Sequence, residues 1–381
     1  MSRLRKNKPK PLVWAEVDLS KLRRNLRVVR SMFSGTRTET LAVVKADAYG
    51  HGMVEIAKTL RAEGVRFFGV ANAEEALELR RVIGPTPKIL VLGSLRKEDL
   101  PYFVGSNLIP TISSLEEVEA LAQGLKKPLN VHVKIDTGMG RLGVWHREAG
   151  NFFNALRSWK EKVRVDGVYT HFSSADNDVR KTRAQMIFFE EAVRQMKRLG
   201  FSPRYLHAAN SAGLVRFRGS HLNLVRPGIL LYGVMPGIDE QPPRGLKPIL
   251  ELKTVVSFLK HIKKGRTVSY GSTWKAPKNT TIATLPIGYS HGYRRGFSNK
   301  GTVLIRGCFC PVIGRVTMDQ TLVDVGSLPT VRRGDEVTLI GCEEKKELTA
   351  SGLASLAHTI PYEIFCSIHP RIPRVYKGIR G

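Results

Sequence analysis

Leu41–Gly52 reads LAVVKADAYGHG. Leu41 to Val44 is an apolar run without polar alternation, so the strand it predicts is buried on both faces. Gly50 to Leu60 then reads as a helix. A doubly buried strand that passes at once into a helix is the repeating unit of a parallel sheet, whose crossovers are helical. Lys45 stands at the C-terminal end of the strand. Burial disfavours the charged form of a lysine, so an amine placed there becomes a usable nucleophile and base. Such an amine suits a Schiff base to an aldehyde cofactor. Taken alone, a lysine at a strand end reads better as a side chain that snorkels to water.

The same unit repeats outward from this stretch. Apolar runs at 41–45, 66–70, 88–92, 108–112, 130–135, 164–171, 204–208 and 222–226 predict eight strands. Helical patterns lie between them, including Ala73–Val82, Ser114–Gly124 and Arg180–Leu199. The second of these opens on a serine cap with acidic residues in its first turn. Eight β-then-α units in about 200 residues predict an α/β fold of the closed (β/α)8 barrel type. The rival, an open doubly wound sheet, lacks its glycine-rich dinucleotide turn after the first strand. From about residue 245 the pattern changes to short alternating runs broken by glycine and proline, such as LKTVVSFL, GTVLIRG, TLVDVG and GDEVTLIG, which predict a mostly β C-terminal domain. The expected organisation is a basic disordered arm over 1–10, a strand over 11–17 that joins the β domain, the barrel over 18–242 and the β domain over 243–381.

Composition narrows the classes. The chain has 381 residues, 42% of them apolar, which is ordinary for a globular protein. No run approaches the ~18 apolar residues of a membrane span. The N-terminus MSRLRKNKPKPLVW lacks the apolar segment of a signal peptide, so a cytoplasmic location is expected. Lysine and arginine number 61 against 33 acidic residues, a net charge of +28. These charges are spread along the chain, as in RRVIG and VRQMKRLG, with the arm Arg3–Lys10 as the local exception. No basic stripe with interleaved aromatics marks a specific nucleic-acid site. Cys308, Cys310, Cys342 and Cys366 do not have the spacing of a zinc site, and no metal is expected.

A barrel gathers the polar residues at its strand ends into one mouth. Here those residues are Lys45 and Tyr49 after strand one, Lys134, Asp136 and Arg141 after strand five, and Tyr169 and His171 after strand six. His207, Asn210 and Ser211 follow strand seven, and Arg226, Gly228 and Ile229 follow strand eight. The last two segments, AANSAG and RPGIL, can form a phosphate site from the Ser211 hydroxyl and the N–H groups of Gly228 and Ile229.

VVKADAYGHG resembles the pyridoxal-phosphate signature of the alanine racemases, which are fold type III enzymes. KIDTGMGRLG, YTHFSSAD, HAANSAG, VRPGILLYG, VSYGSTW, PIGYSHGY, VTMDQ and PYEIFC extend the resemblance from about residue 12 to residue 376. It implies bound pyridoxal 5'-phosphate and a homodimer in which each active site joins the barrel of one subunit to the β domain of the other. It implies a two-base alanine racemase that supplies D-alanine for peptidoglycan. Lys45 then forms the internal aldimine and serves the D-enantiomer's α-proton, while Tyr270, from the partner subunit, serves the L-enantiomer's. A phenol is a weak base at neutral pH and needs positive or hydrogen-bonding neighbours, for which Arg141 and His171 are candidates.

The resemblance further implies that Arg226 donates to a neutral pyridine nitrogen, since a guanidinium does not readily give up its proton. Arg141 corresponds to a contact with the substrate carboxylate or the cofactor oxygen, and the backbone N–H of Met318 to a substrate-carboxylate contact. Tyr49, Ser211, Gly228, Ile229 and Tyr362 correspond to phosphate contacts, and His171 to a further cofactor contact. Tyr289 and Asp319 correspond to the entrance or pocket wall. Lys134 matches a lysine carbamylated in some members; a plain lysine paired with Asp136 is the alternative. PIGYSHGY places His291 where the family usually has an acidic residue. A racemase of broader specificity and a non-catalytic pyridoxal-phosphate carrier are the other readings. A carrier would lack the β domain with Tyr270 and Met318, and a decarboxylase of this fold would pair the pyridine nitrogen with an acid.

Overall fold

The computed structural model describes residues 11–237 and 242–379. The arm Arg3–Lys10 lies outside the described residues. The chain divides into two compact units, one centred on Lys21–Pro236 and the other on residues 248–379 with the N-terminal strand.

In the first unit all eight predicted strands form: Glu39–Val43, Phe67–Val70, Lys88–Val91, Ile109–Ile112, Leu129–Asp136, Val163–Tyr169, Tyr205–His207 and Leu224–Val225. They pair in parallel in the order eighth, first, second and onward to the seventh, giving a nearly closed barrel. Phe67–Val70 and Ile109–Ile112 are buried at every position, as strands covered on both faces should be. The seventh and eighth strands close the ring without a ladder of their own. Arg226 N–H donates to the Ala209 carbonyl at 3.0 Å. The Asn223 side chain accepts from Leu206 N–H and donates to the Arg204 carbonyl, both at 2.7 Å.

Side-chain caps fix where the helices begin. Asn72 accepts from Glu75 N–H at 2.9 Å and starts Ala73–Ile83. Ser114 accepts from Glu117 N–H and starts Leu115–Gly124. Asp178 accepts from Lys181 N–H and starts Val179–Arg198. Each satisfies a backbone donor that the first helical turn leaves unpaired. Between these helices and the strands, Phe152, Phe153, Phe189 and Met196 anchor an apolar layer. Inside the barrel the filling is partly polar: Thr111 bridges the Val91 carbonyl and the Tyr169 hydroxyl, and the Tyr169 ring stacks on His207 at 4.7 Å.

The first predicted unit is corrected in one respect. Its strand stops at Val43 instead of Lys45, and its helix is Met53–Ala62 instead of beginning at Gly50. The intervening Ala46, Asp47, Ala48 and Tyr49 have φ of 52, 52, 53 and 56°, a single left-handed turn built from non-glycine residues.

The second unit is mostly β. Val13–Asp18 pairs antiparallel with Leu250–Val255 and parallel with Arg374–Lys377. Glu336–Glu343, Thr302–Ile305 and Cys308–Pro311 continue that sheet. Phe258–Ile262, Thr280–Leu285 and Thr321–Asp324 form a second, three-stranded sheet. Among the described residues no helix is long and apolar enough to cross a membrane.

Candidate active site

The residues singled out in the barrel segment converge on the C-terminal strand ends. Lys45 and Tyr49 sit on the left-handed turn after the first strand. That conformation costs L-residues on the order of 1–2 kcal/mol each, so its surroundings must impose it. Asp47 accepts from Met53 N–H at 2.7 Å and its carbonyl from Gly52 N–H at 2.9 Å. Fully buried His51 brings Nδ1 to the carbonyls of Ala48 and Tyr49, at 2.9 and 2.8 Å, and stacks on Tyr232 at 4.5 Å. Nδ1 therefore carries the proton, because a carbonyl can only accept. Tyr232 in turn donates to the Val43 carbonyl at 2.9 Å, tying the turn to the eighth unit.

Ser211 and the segment after the eighth strand build a cradle. Ser211 Oγ accepts from Gly228 N–H at 3.0 Å and lies 3.5 Å from Leu230 N. Ile229 is fully buried between them in sequence. A Cβ on Gly228 would lie 2.5 Å from the Tyr49 hydroxyl, so only glycine lets that phenol approach. A hydroxyl, a phenol and backbone N–H groups brought close together are the kinds of donor that a phosphate group needs.

Arg226 is 3% exposed. It donates to His207 Nδ1 at 2.9 Å and to the carbonyls of Thr170 and Ala208 at 2.8 and 2.9 Å. Of the five N–H donors of a guanidinium, these three contacts leave two for another acceptor. Burial pulls its pKa down to about 10, with Tyr169 opposing. Since Arg226 must donate, His207 Nδ1 accepts, so its Nε2–H donates to His132 Nδ1 at 2.8 Å. The remaining Nε2–H of His132 is buried without a partner. Burial and Arg226 hold His207 neutral; burial, then Lys88 and Arg226, lower His132 to about 3.

Lys134 is 2% exposed. Burial, then Arg141 and Arg226, lower its amine to about 8. Asp136, its partner in the alternative reading, instead accepts the N–H groups of Gly138, Met139 and Gly140 and folds the loop that carries Arg141. Arg141 itself is exposed. His171 is pushed well below the ordinary imidazole value, first by burial and then by Arg226, Lys134 and Arg141. Buried Gln185 donates to Thr137 and to the His171 carbonyl and accepts from Ser173, joining the loops after strands five and six.

Tyr270, Tyr289, Met318, Asp319 and Tyr362 all lie on the second unit. Tyr270 is 70% exposed and Met318 is 55% exposed. Tyr289 N–H donates to the Thr317 carbonyl, and Ser290 donates to the Met318 carbonyl and to Asp319 Oδ1, so Tyr289, Met318 and Asp319 form one group. His291 Nδ1 accepts from Gly288 N–H at 3.3 Å within the Tyr289–His291 turn. A neutral imidazole thereby does there what a carboxylate could do, and burial lowers its pKa in the matching direction.

Sequence reasoning passed over His132, His51, Tyr232, Glu75 and Gln185. The sequence signal for His132 is parity: in VHVKID it shares the alternate positions of Lys134 and Asp136.

Comparison with known proteins places this geometry. The family model described as alanine racemase, N-terminal domain, matches residues 17–236, and that of the alanine racemase C-terminal domain matches residues 249–376. The alanine racemase of Geobacter sulfurreducens is 44% identical over 371 residues, covering 95% of this chain and 96% of the relative. The crystal structure of alanine racemase from the D-cycloserine producer Streptomyces lavendulae superposes with a TM-score of 0.91 at 33% identity, covering 98% of this chain and 99% of that one. The Bartonella henselae alanine racemase, solved with covalently bound pyridoxal phosphate, gives 0.87 at 30% identity, covering 97% and 100%. With both family domains matched in order and close relatives along nearly its full length, the chain belongs to the alanine racemase family.

Proposed function

We propose that the chain interconverts L-alanine and D-alanine with pyridoxal 5'-phosphate as cofactor. The reaction uses two bases on opposite faces of the substrate Cα, Lys45 from one subunit and Tyr270 from its partner. The observation that carries this reading is the group at the barrel mouth: Lys45 and Tyr49 on one turn, the Ser211–Gly228–Leu230 cradle, and buried Arg226 with two donors in hand.

Bound pyridoxal phosphate would supply the electron sink that acidifies the substrate's α-hydrogen. Lys45 would hold the cofactor covalently and would remove or return the proton on the D face. Tyr270 would do the same on the L face. Tyr49, Ser211, Gly228, Ile229 and Tyr362 would hold the phosphate, and His171 would contact the cofactor. Arg226 can donate to the ring nitrogen without protonating it. That limits the sink and favours rapid return of a proton to Cα. Arg141 and Met318 N–H would take the substrate carboxylate. Carbamylation of Lys134 would place a negative charge beside Arg141, and a neutral amine, which burial favours here, is the form that reacts. Tyr289 and Asp319 would line the entrance.

The exposure of Tyr270 and Met318 supports a homodimer with shared sites. A base open to bulk water exchanges its proton with solvent, and a second copy of the chain laid over it would exclude that water. The product fits a cytoplasmic role in supplying D-alanine for peptidoglycan.

The test is chiral chromatography of L-alanine, L-serine and L-lysine incubated separately with the holoenzyme. D-alanine should form fastest, and Lys45→Ala and Tyr270→Phe should each abolish it. Mixing the two dead variants under subunit exchange should restore about a quarter of the activity, because half the dimers are hybrids with one intact site. No recovery despite exchange would refute site sharing. Preferred turnover of serine or lysine would refute alanine as the substrate.

A further inference from the structure

Two helices of the barrel begin with the same device. In Ala73–Ile83 the third residue is Glu75, whose Oε2 accepts from Ala71 N–H at 2.8 Å, just before the Asn72 cap. Its Oε1 leaves its own unit and accepts from Ala46 N–H at 2.8 Å. In Leu115–Gly124 the third residue is Glu117, whose Oε2 accepts from Ser113 N–H at 2.5 Å, just before the Ser114 cap. Its Oε1 likewise reaches back to Leu95 N–H at 3.3 Å. Each glutamate thus closes its own helix start and clamps the loop after the preceding strand.

The loops they clamp differ. Leu95 lies in a segment that carries none of the site residues. Ala46 follows Lys45 directly and is the first of the four left-handed residues. Beyond Val44 N–H, which still donates to the Gly69 carbonyl, the chain leaves the sheet. Asp47 ties the far end of the turn through Met53 N–H, and Glu75 ties its near end. A left-handed run of L-residues persists only where its surroundings over-determine it. Without the near tie, Ala46 can relax toward an ordinary conformation, and the peptide group that joins it to Lys45 is then free to turn.

We propose that Glu75 is a positioning residue for Lys45: by holding Ala46 N–H in the left-handed turn, it sets the direction in which the Lys45 amine is presented. The proposal rests on the reading of Lys45 as the cofactor-bearing lysine. Glu117 provides a control, the same clamp on a loop without a site residue.

The experiment compares Glu75→Ala, Glu75→Gln and Glu117→Ala with the unmodified enzyme. It measures amide hydrogen exchange over residues 46–49, the pH titration of the absorbance band of the lysine-linked cofactor, and kcat and KM for L-alanine. Glu75→Ala should speed exchange at Ala46, move the titration midpoint and lower kcat by roughly 10- to 100-fold with a smaller change in KM. Glu75→Gln, with one accepting oxygen for two N–H groups, should fall between. It carries the test alone if the alanine variant does not fold. Glu117→Ala should lower thermal stability while leaving the midpoint and kcat in place. If the Glu75 variants lose only stability, as Glu117→Ala does, Glu75 is structural and the proposal fails. If the unmodified protein binds no cofactor, or Lys45→Ala keeps the lysine-linked band, the underlying reading fails and the proposal goes with it.

Discussion

Replacing Lys134 with methionine should stabilise the cofactor-free protein at neutral pH and cease to do so in alkali. The side chain is 2% exposed, and burial brings its pKa to about 8 from an ordinary 10.5. A base whose folded pKa lies below its unfolded pKa is bound less well by protons in the native state. Below pH 8 it is charged in both states, and the native state bears the full penalty, on the order of 3 kcal/mol. Between pH 8 and 10.5 the native amine is neutral while the unfolded one still binds a proton, so the penalty shrinks; above 10.5 it is gone. Methionine has a similar length and no charge to desolvate. Urea unfolding of both proteins in carbonate-free buffer, from pH 7 to pH 10.5, measures the gap. The variant should lead by about 1–3 kcal/mol at pH 7, with the lead falling away above pH 8. Added bicarbonate should narrow the lead at pH 8 by converting the amine to a carbamate beside Arg141 and Arg226. Parallel stability curves, or a less stable variant at pH 7, would refute the argument that Lys134 is a strained buried cation.

Three further outcomes are expected. Ser211→Ala removes the acceptor for Gly228 N–H and should weaken pyridoxal-phosphate binding by about 1–3 kcal/mol in a spectroscopic titration, with the fold intact. Asn25→Ala should lower the urea midpoint by about 3 kcal/mol, because that fully buried side chain donates to the carbonyls of Leu231 and Lys247 and accepts from Lys247 N–H. Because His132 is held neutral down to about pH 3 in the native state but binds a proton below about 6.5 when unfolded, stability should fall as pH drops from 6.5 toward 3. His132→Phe should flatten that slope by about 1.4 kcal/mol per pH unit.

The strands were legible because most centre on short apolar runs, such as Phe67–Val70, buried at every position, and such runs need no knowledge of partners to be seen. The strand-end rule then named Lys45, Tyr49, Ser211, Arg226 and Gly228, which the fold gathers. The left-handed turn was not legible. Ala46, Asp47, Ala48 and Tyr49 have no local preference for positive φ as a run, and one of the bonds that hold the turn comes from Glu75, 29 residues away. The polar chain from Arg226 through His207 to His132 escaped for the same reason, since His132 and His207 are 75 residues apart and meet only once the barrel closes. Tyr270, Met318 and Asp319 were named by family resemblance alone. No periodicity marks an exposed tyrosine on a turn.

The seventh and eighth strands meet through one backbone bond and through the side chains of Asn223 and Arg226, not a ladder. A ring of hydrogen bonds with one thin join has a preferred place to come apart. Opening there breaks few backbone bonds, so the join should be the first part of the barrel to admit exchange with solvent. Ser211 stands on one side of the join and Gly228 on the other, and the Ser211–Gly228 bond crosses it. A phosphate gripping both sides would act as a rivet. Its binding energy would then appear as resistance of the whole barrel to opening, and loss of the cofactor and loss of the fold would be neighbouring events on one path.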